Sequence, residues 1–328
     1  MSIKSELKDR IMILDGAMGT MIQAQGLPEE AWRGERFAHW PVSLKGNNDV
    51  LNITRPDVIK AIHQAYIDAG ADIITTNTFS SQRISQGEYQ CEELSAELNR
   101  AGASIAREVA DRQSRKVYVA GSMGPTSKSL TLAPDMNHPE LRSVSFEEMV
   151  SAYEEQARAL LQGGVDVLLL ETCYDALNAK AALYAIRKVG EERGEMPDVM
   201  VSATINDRSG RTLTGQTLDA FFTSVSHYPI LSFGLNCSFG VKELRPFVEQ
   251  LAEHCPVYIS IYPNAGLPNE MGGYDEQPEF TARYIKEMAS ERIINIAGGC
   301  CGTTPDHIRA IALAGESSGG ERTGKCGS

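Results

Sequence analysis

Eight short apolar runs, rich in β-branched residues, recur along the chain and constrain its fold more than any other feature. Helical patterns or long polar stretches separate each run from the next, which is typical of strands that alternate with helices. Apolar strands of this kind indicate a parallel sheet covered by its helices, and eight units favour a closed (β/α)8 TIM barrel over an open sheet. The runs are Ile11–Leu14, Ile73–Thr76, Val117–Ala120, Val165–Leu170, Val199–Ala203, Ile230–Leu235, Val257–Ile261 and Ile293–Ala297.

The segments between the runs carry helix signals. Ser145–Leu161 begins with a capping-box pair, Ser145 and Glu148, and places most of its apolar residues on one face. Two more helix starts are predicted, each with a proline in the first turn, at Thr54–Asp57 and Thr304–Asp306.

The eight units use nearly the whole chain and leave no residues for a second domain. We therefore predict one barrel domain over residues 1–314 and a Gly/Ser-rich tail or linker over 315–328. The long stretches Met18–Asn52 and Met123–Val144 follow strands and are predicted to be irregular βα loops. Barrel enzymes build their sites from such loops.

Charge and hydropathy limit the classes of partner. The net charge of −12, without a local basic cluster, argues against a nucleic acid or an anionic membrane as a partner. Met1–Arg10 lacks the apolar core of a secretory signal, and no apolar run is long enough to span a bilayer. These features predict a cytoplasmic protein.

Three of the seven cysteines follow predicted strands. Cys237 comes directly after the sixth strand, and Cys300 and Cys301 come after the eighth, so all three are expected at the C-terminal mouth of the barrel. An odd number of cysteines without a signal peptide argues for thiol or metal chemistry rather than a disulfide framework. Three converging thiolates would bind zinc and leave its fourth position open.

Other interpretations of the same cysteines stay open on spacing alone. The adjacent pair could pack as small hydrophobic side chains, form a vicinal disulfide, or belong to a Gly-rich loop that holds a phosphate. Cys255 is predicted to pack in the core, Cys91 and Cys326 have no partner motif, and Cys173 lies close to the mouth. The histidines offer no His-x-His pair and no strand end carries a lysine, which argues against metallohydrolase and Schiff-base chemistry.

Two carboxylates also follow strands, Asp15 after the first and Glu171 after the fourth. Together they could bind an ammonium group or act as acid and base, while each alone could equally cap a helix. Polar side chains stand in comparable places after the other strands, each of them weak support by itself: Asn77, Ser122, Asn206, Asn236 and Asn264.

With these motifs the sequence closely resembles the homocysteine S-methyltransferase family. The resemblance implies zinc held by Cys237, Cys300 and Cys301, with the sulfur of homocysteine as the fourth ligand. It also implies that Asp15, Glu171 and the backbone amides around Gly16 and Ala17 hold the amino-acid head, and we add Ser122 and Asn236 as candidate substrate contacts. The matching segments are Asp15–Thr20, Thr76–Phe79, Gly121–Pro125, Glu171–Thr172, Gly234–Cys237 and Gly298–Gly302.

Within that family, Arg33–Phe37 and Leu44–Asp49 look like the N-terminal module of cobalamin-dependent methionine synthase. This implies the 5-methyltetrahydrofolate–homocysteine methyltransferase system, with methylcobalamin carried by a further module in cis or by a corrinoid protein in trans. The chain is then expected to be either part of a longer protein or a standalone one. The alternatives are a betaine- or sulfonium-dependent homocysteine methyltransferase and a non-catalytic, zinc-stabilised module that binds a partner.

Overall fold

A computed structural model describes residues 2–270 and 272–316, and within them it contains the eight expected strands. All eight predicted runs are confirmed as parallel strands, although the first and last are only two residues long. The strands are β1 (Met12–Ile13), β2 (Ile73–Thr75), β3 (Tyr118–Met123), β4 (Val167–Cys173), β5 (Val199–Ala203), β6 (Ser232–Asn236), β7 (Tyr258–Tyr262) and β8 (Ile296–Ala297).

The sheet closes on itself. Neighbouring strands pair in the order β1-β8-β7-β6-β5-β4-β3-β2, and Leu14 forms a parallel bridge with Ile73 across the remaining gap. The Asp72 amide donates to the Ile13 carbonyl at 2.7 Å, and the Asp15 amide donates to the Ile73 carbonyl at 3.0 Å. The predicted (β/α)8 TIM barrel is confirmed.

Helices cover the outside of the barrel and occupy part of the first long loop. They are α1 (Ile3–Asp9), α2 (Met18–Gln23), α3 (Glu29–Arg33), α4 (Leu51–Thr54), α5 (Pro56–Asp68), α6 (Arg83–Gln86), α7 (Ser95–Asp111), α8 (Phe146–Gln162), α9 (Ala176–Arg193), α10 (Leu218–Val225), α11 (Val241–His254), α12 (Pro278–Ser290) and α13 (Pro305–Glu316). None of the helices in the described ranges combines the length and the hydropathy that crossing a bilayer requires.

The predicted helix starts are confirmed. The Ser145 hydroxyl accepts from the Glu148 amide at 3.2 Å, and the Ser145 amide donates to the Glu148 carboxylate at 2.8 Å, so α8 begins with a complete capping box. Prolines stand in the first turn of α5 and α13, where a missing N–H leaves no intrahelical bond unmade.

The structure differs from the sequence predictions in the first long loop and at the end of the last helix. Met18–Asn52 is not wholly irregular, because α2 and α3 lie within it and place Ile22 and Trp32 in the core. Met123–Val144 does lack helices and, beyond Met123, strands. The last helix runs through Glu316, two residues past the predicted end of the domain, and the rest of the predicted tail lies outside the described residues.

The barrel encloses its own apolar core, separate from the larger core between sheet and helices. Helix α1 packs Ile3 and Leu7 against the strand side chains that fill the interior. These include Met12, Leu14, Ile73, Tyr118, Ala120, Val167, Leu169, Met200, Tyr258 and Ile296. The interior of the barrel is therefore a packed core, as is usual for this fold.

Candidate active site

A cavity of about 1020 Å³ opens at the C-terminal ends of the strands. It is lined by eight of the nine residues that the sequence assigned to metal or substrate binding: Asp15, Gly16, Ala17, Ser122, Glu171, Cys237, Cys300 and Cys301. Asn236 is not among the lining residues, because it lies buried beneath the cavity. A cavity of this size and position is the usual setting for the active site of a barrel enzyme.

The three cysteines form a cluster in the wall of the cavity. Their sulfur atoms all lie within 4.8 Å of one another, and the Cys237 and Cys301 sulfurs are 3.8 Å apart. Sulfur ligands about 2.3 Å from a tetrahedral zinc would be separated by about 3.8 Å. All three are half-buried free thiols, which removes the vicinal disulfide from the interpretations left open above.

The backbone at the end of β6 turns sharply to present Cys237. Both Cys237 and Ser238 have a φ of 62°, a left-handed conformation that non-glycine residues seldom adopt. The Cys237 amide donates to the Tyr262 carbonyl at 3.3 Å, and the Phe239 amide donates to the Cys237 carbonyl at 2.7 Å. These bonds hold a strained turn whose effect is to point the thiol across the mouth toward β8.

The loop after β8 carries the other two thiols and is tied to its neighbours through its backbone. The amides of Gly299, Cys300 and Gly302 donate to the Asp15 carbonyl, the Pro263 carbonyl and the Thr20 hydroxyl at 3.1, 2.7 and 3.0 Å. These amides therefore have no N–H to offer a phosphate, which argues against the phosphate-binding interpretation of the Gly-rich loop. A methyl group on Gly299 would lie 2.4 Å from the Thr303 hydroxyl oxygen, so the turn requires glycine there.

The chemistry of the cluster suits a cation. Hydrogen bonds from the other two thiols lower the pKa of Cys237 to about 3, and the same sharing raises the pKa of Cys301 to about 11 and that of Cys300 further. Without a positive charge the cluster holds one thiolate, and a soft dication is what would allow all three to ionise. The Asn264 side-chain oxygen is also buried near Cys237 and has no hydrogen-bond partner among the described residues.

Asp15 and Glu171 lie close enough in the cavity that a negative charge on one disfavours ionisation of the other. Burial, with the charge of Glu171 adding to it, raises the pKa of Asp15 well above its usual range, although Thr75 donates to it from both its amide (2.8 Å) and its hydroxyl (3.0 Å). Burial also raises the pKa of Glu171 to about 7, opposed by a hydrogen bond from the Ser122 hydroxyl. An ammonium group between them would relieve both effects.

The end of β4 is irregular in a way that serves the cavity. Pairing with β5 runs from Leu170 opposite Val201 to Cys173 opposite Ala203, so three steps on β4 match two on β5. Leu170 and Cys173 both pack in the outer core, and the two residues between them, Glu171 and Thr172, both line the cavity. This bulge therefore gives one strand end two consecutive residues that face the mouth.

After Asp15, the loop that follows the first strand packs closely against α5. A methyl group on Gly16 would lie 2.8 Å from the Tyr66 ring, so the loop passes too close to α5 for any other residue. The Ala17 amide donates to the Thr303 hydroxyl at 3.2 Å, and its carbonyl accepts from the Tyr66 hydroxyl at 3.0 Å. Ala17 is thus engaged within the protein, whereas the sequence led us to expect its amide to face substrate.

Sequence reasoning missed several residues of the cavity. Thr172 and Thr303 hold its backbone, Tyr262 forms part of its floor, and Tyr274 packs against Gly302 at its edge. Thr172 belongs to the quoted Glu171–Thr172 segment but had no role assigned to it, and Thr303 directly follows the Gly298–Gly302 motif, so these positions were the only signal for them. Cys173 and Cys91 are buried away from the cluster, Cys255 is half-buried beyond α11, and Cys326 lies outside the described residues.

Comparison with solved structures supports the fold. The chain is similar to the homocysteine methyltransferase MmuM from Escherichia coli, with a TM-score of 0.70 and 22% identity to the metallated form over 93% of this chain and 96% of that one. The oxidized form of MmuM gives 0.71 and 21% over 92% and 95%. A B12-independent methionine synthase from Shewanella sp. W3-18-1, in complex with selenomethionine, gives 0.53 and 12% over 94% and 97%.

The comparison with family models is more specific than the fold, because it spans nearly all of the barrel. The homocysteine S-methyltransferase model matches residues 12–314, from β1 into the last helix, and so includes every strand end described above. The chain therefore belongs to the homocysteine S-methyltransferase family.

Proposed function

We propose that this protein is a zinc-dependent homocysteine S-methyltransferase that takes its methyl group from methylcobalamin and produces methionine. The observation that carries the proposal is the presence of two kinds of group in one cavity. Three thiols at the spacing of tetrahedral zinc ligands line it together with two carboxylates suited to an ammonium group. An amino acid with a thiol side chain matches both.

Cys237, Cys300 and Cys301 would hold the metal, and the orphan oxygen of Asn264 would be the resting fourth ligand. When bound, zinc would supply the acidity that converts the substrate thiol, whose ordinary pKa is about 8.5, into a thiolate. The similar E. coli protein has a metallated form, which supports a metal here. Four sulfur donors would keep the substrate sulfur strongly negative, which favours attack on a methyl group over hydrolysis.

The residues of the chain itself would fix the direction of attack. Asp15 and Glu171 would bind the ammonium group, and the Ser122 hydroxyl would keep Glu171 turned toward it. The substrate sulfur would then lie beside the cysteine cluster with its free side toward the open mouth. Because the cavity is larger than an amino acid needs, a methyl donor can approach from that side.

The donor is proposed from the segment Leu44–Asp49, whose sequence resembles the cobalamin-dependent enzymes. Five residues of this segment, from Lys45 to Asp49, line the cavity, where a donor could contact them. Methylcobalamin would be carried by another module or by a corrinoid protein.

A second candidate is a cationic donor, either betaine or a methylated sulfonium compound. It is favoured by two further carboxylates, Asp49 and Glu88, and by the aromatic rings of Phe79 and Tyr89, which line the same cavity. Carboxylates and aromatic faces both attract quaternary ammonium and sulfonium groups.

The test is a titration of the zinc-loaded protein with homocysteine, followed by zinc-edge absorption and by proton release. We expect sulfur to replace an oxygen ligand and close to one proton per site to be released, because the ligand binds as a thiolate. Homoserine should bind much more weakly. An unchanged zinc environment without proton release would contradict catalysis and favour the non-catalytic binding module.

A donor screen then separates the two candidates. Free methylcobalamin should give slow formation of methionine, and betaine and S-methylated sulfonium compounds should give none. Methionine formed only from a sulfonium or betaine donor would replace the cobalamin proposal with the second candidate.

A further inference from the structure

Thr172 is held in a conformation that its side chain disfavours. Its φ is 57°, in the left-handed region, which is rare for non-glycine residues and a genuine outlier for a β-branched one. It lies in the bulge of β4, directly after Glu171. Strain of this kind persists only where the surroundings impose it, so some neighbour must hold the Glu171–Thr172 peptide in place.

That neighbour is the side-chain amide of Asn236, at the end of β6. The Thr172 amide donates to the Asn236 oxygen at 3.0 Å, and the Asn236 nitrogen donates to the Thr172 hydroxyl at 2.9 Å. The Ser202 hydroxyl donates to the same Asn236 oxygen at 2.7 Å and fixes the plane of the amide. Asn236 is 1% exposed, so water does not compete for these bonds.

The same amide also reaches the cysteine cluster. Its nitrogen lies 3.9 Å from the Cys300 sulfur, within donor range for a sulfur acceptor, and the next residue in the chain is Cys237. One buried side chain thus touches the strand end that carries Glu171 and a sulfur of the candidate metal site. Its hydrogen-bonding groups are used by the protein, and none faces the cavity.

We propose that Asn236 is a positioning residue that holds Glu171 and Cys300 in register, so that the ammonium group and the sulfur of one substrate are bound together. This inference rests on the proposed function, and it replaces our expectation that Asn236 contacts substrate directly. Its amide orients the peptide after Glu171 through Thr172 and orders the cluster through Cys300.

The bulge in β4 explains why Thr172 needs a clamp, by which we mean its two hydrogen bonds with the Asn236 side chain. Thr172 would relax toward an extended φ if it were released, and β4 could then return to regular alternation. Regular alternation would turn Thr172 toward the helices and Cys173 toward the interior, and it would move the peptide that joins Glu171 to Thr172. Asn236 prevents this shift of the backbone, which would move the Glu171 carboxylate relative to the thiols.

The experiment compares four proteins: wild type, Asn236→Ala, Thr172→Gly and the double variant. Glycine adopts a φ of 57° without strain, so Thr172→Gly removes the need for the clamp. Calorimetry on the zinc-loaded proteins should show the Kd for homocysteine rising about tenfold in Asn236→Ala and returning to within about threefold of wild type in the double variant.

Zinc affinity, measured by competition with a chelator, tests the contact between Asn236 and Cys300 separately from the contact with Thr172. It should fall severalfold in Asn236→Ala and stay low in the double variant, because Thr172→Gly does not restore a donor to Cys300. An unchanged Kd for homocysteine in Asn236→Ala, or failure of Thr172→Gly to restore it, would overturn the inference.

Two further measurements cover the remaining outcomes. If Asn236→Ala does not fold, Ser202→Ala is the milder variant, expected to raise the Kd about threefold with the effect erased by Thr172→Gly; an effect that Thr172→Gly leaves in place would overturn the inference. If wild type itself fails to bind homocysteine, the proposed function is contradicted. Thermal unfolding then tests the inference without substrate. Asn236→Ala should lower the Tm less in the Thr172→Gly background than in wild type, and additive Tm losses would refute the inference.

Discussion

Replacement of Glu171 by glutamine tests the proposed recognition of the substrate ammonium. Glutamine keeps the size of the side chain and can still accept the hydrogen bond from the Ser122 hydroxyl, so the change removes a charge with little else. Asp15 remains as a second carboxylate, held by two bonds from Thr75. The loss should therefore be that of one charged hydrogen bond, rather than that of an unpaired buried ion.

A charged hydrogen bond contributes about 1.5 to 3 kcal/mol, so the Kd for homocysteine should rise roughly 10- to 150-fold. Calorimetry should be done about one pH unit above the Glu171 pKa of about 7, where the wild-type carboxylate is mostly ionised. Zinc content should not change. Glu88→Gln is the matched control, because Glu88 lines the same cavity but is exposed at its outer part.

Two results would refute the reasoning about Glu171. A Kd within about twofold of wild type would return Glu171 to a purely structural role. An equal weakening in Glu171→Gln and Glu88→Gln would mean that the cavity attracts the substrate through its general negative field and not through a specific contact.

Three other predictions concern metal, pH and packing. Alanine at Cys237, Cys300 or Cys301 should abolish tight zinc binding in metal analysis while Cys91→Ala should not, and full zinc in a Cys300→Ala/Cys301→Ala protein would end the three-thiolate proposal. Burial lowers the pKa of His63 to about 4, so as the pH falls the unfolded chain takes up a proton at His63 before the folded protein does. Wild type should therefore lose about 3 kcal/mol of unfolding free energy between about pH 6.5 and about pH 4. Denaturant unfolding should show a smaller loss in His63→Leu, and an identical pH dependence in the two proteins would contradict this prediction. A methyl group on Gly234 would lie 1.9 Å from the Ser260 carbonyl oxygen, so Gly234→Ala should cost at least about 3 kcal/mol of unfolding free energy, whereas Gly87→Ala, with open space around it, should cost less than about 1 kcal/mol.

The fold could be predicted because its signal is repeated. Buried parallel strands must be apolar along their whole length, and eight such runs with helices between them leave few other architectures. The short helices α2 and α3 were missed for a physical reason. At six and five residues they are too short to show a helical period, and burial of Ile22 and Trp32 stabilises them where local sequence would not.

The site could be predicted in its chemistry but not in the direction of every side chain. A cysteine or carboxylate that follows a parallel strand must come to the mouth, which placed Asp15, Glu171 and the three cysteines correctly in the cavity. Whether Asn236 faces the cavity or a neighbouring strand depends on the bulge in β4 and on the left-handed φ of Thr172. A β-branched residue gives no sign of such a conformation in sequence, because tertiary contacts impose it.

The closure of the barrel has a consequence for the order of folding during synthesis. β1 pairs with β8, where Met12 stands opposite Ile296, so the first strand cannot complete its pairing until almost the whole chain has left the ribosome. Cys237 is translated long before Cys300 and Cys301, and it has no partner sulfur until β8 is in place. The thiol cluster therefore assembles only in a finished barrel, and a nascent or prematurely ended chain cannot capture metal at this site.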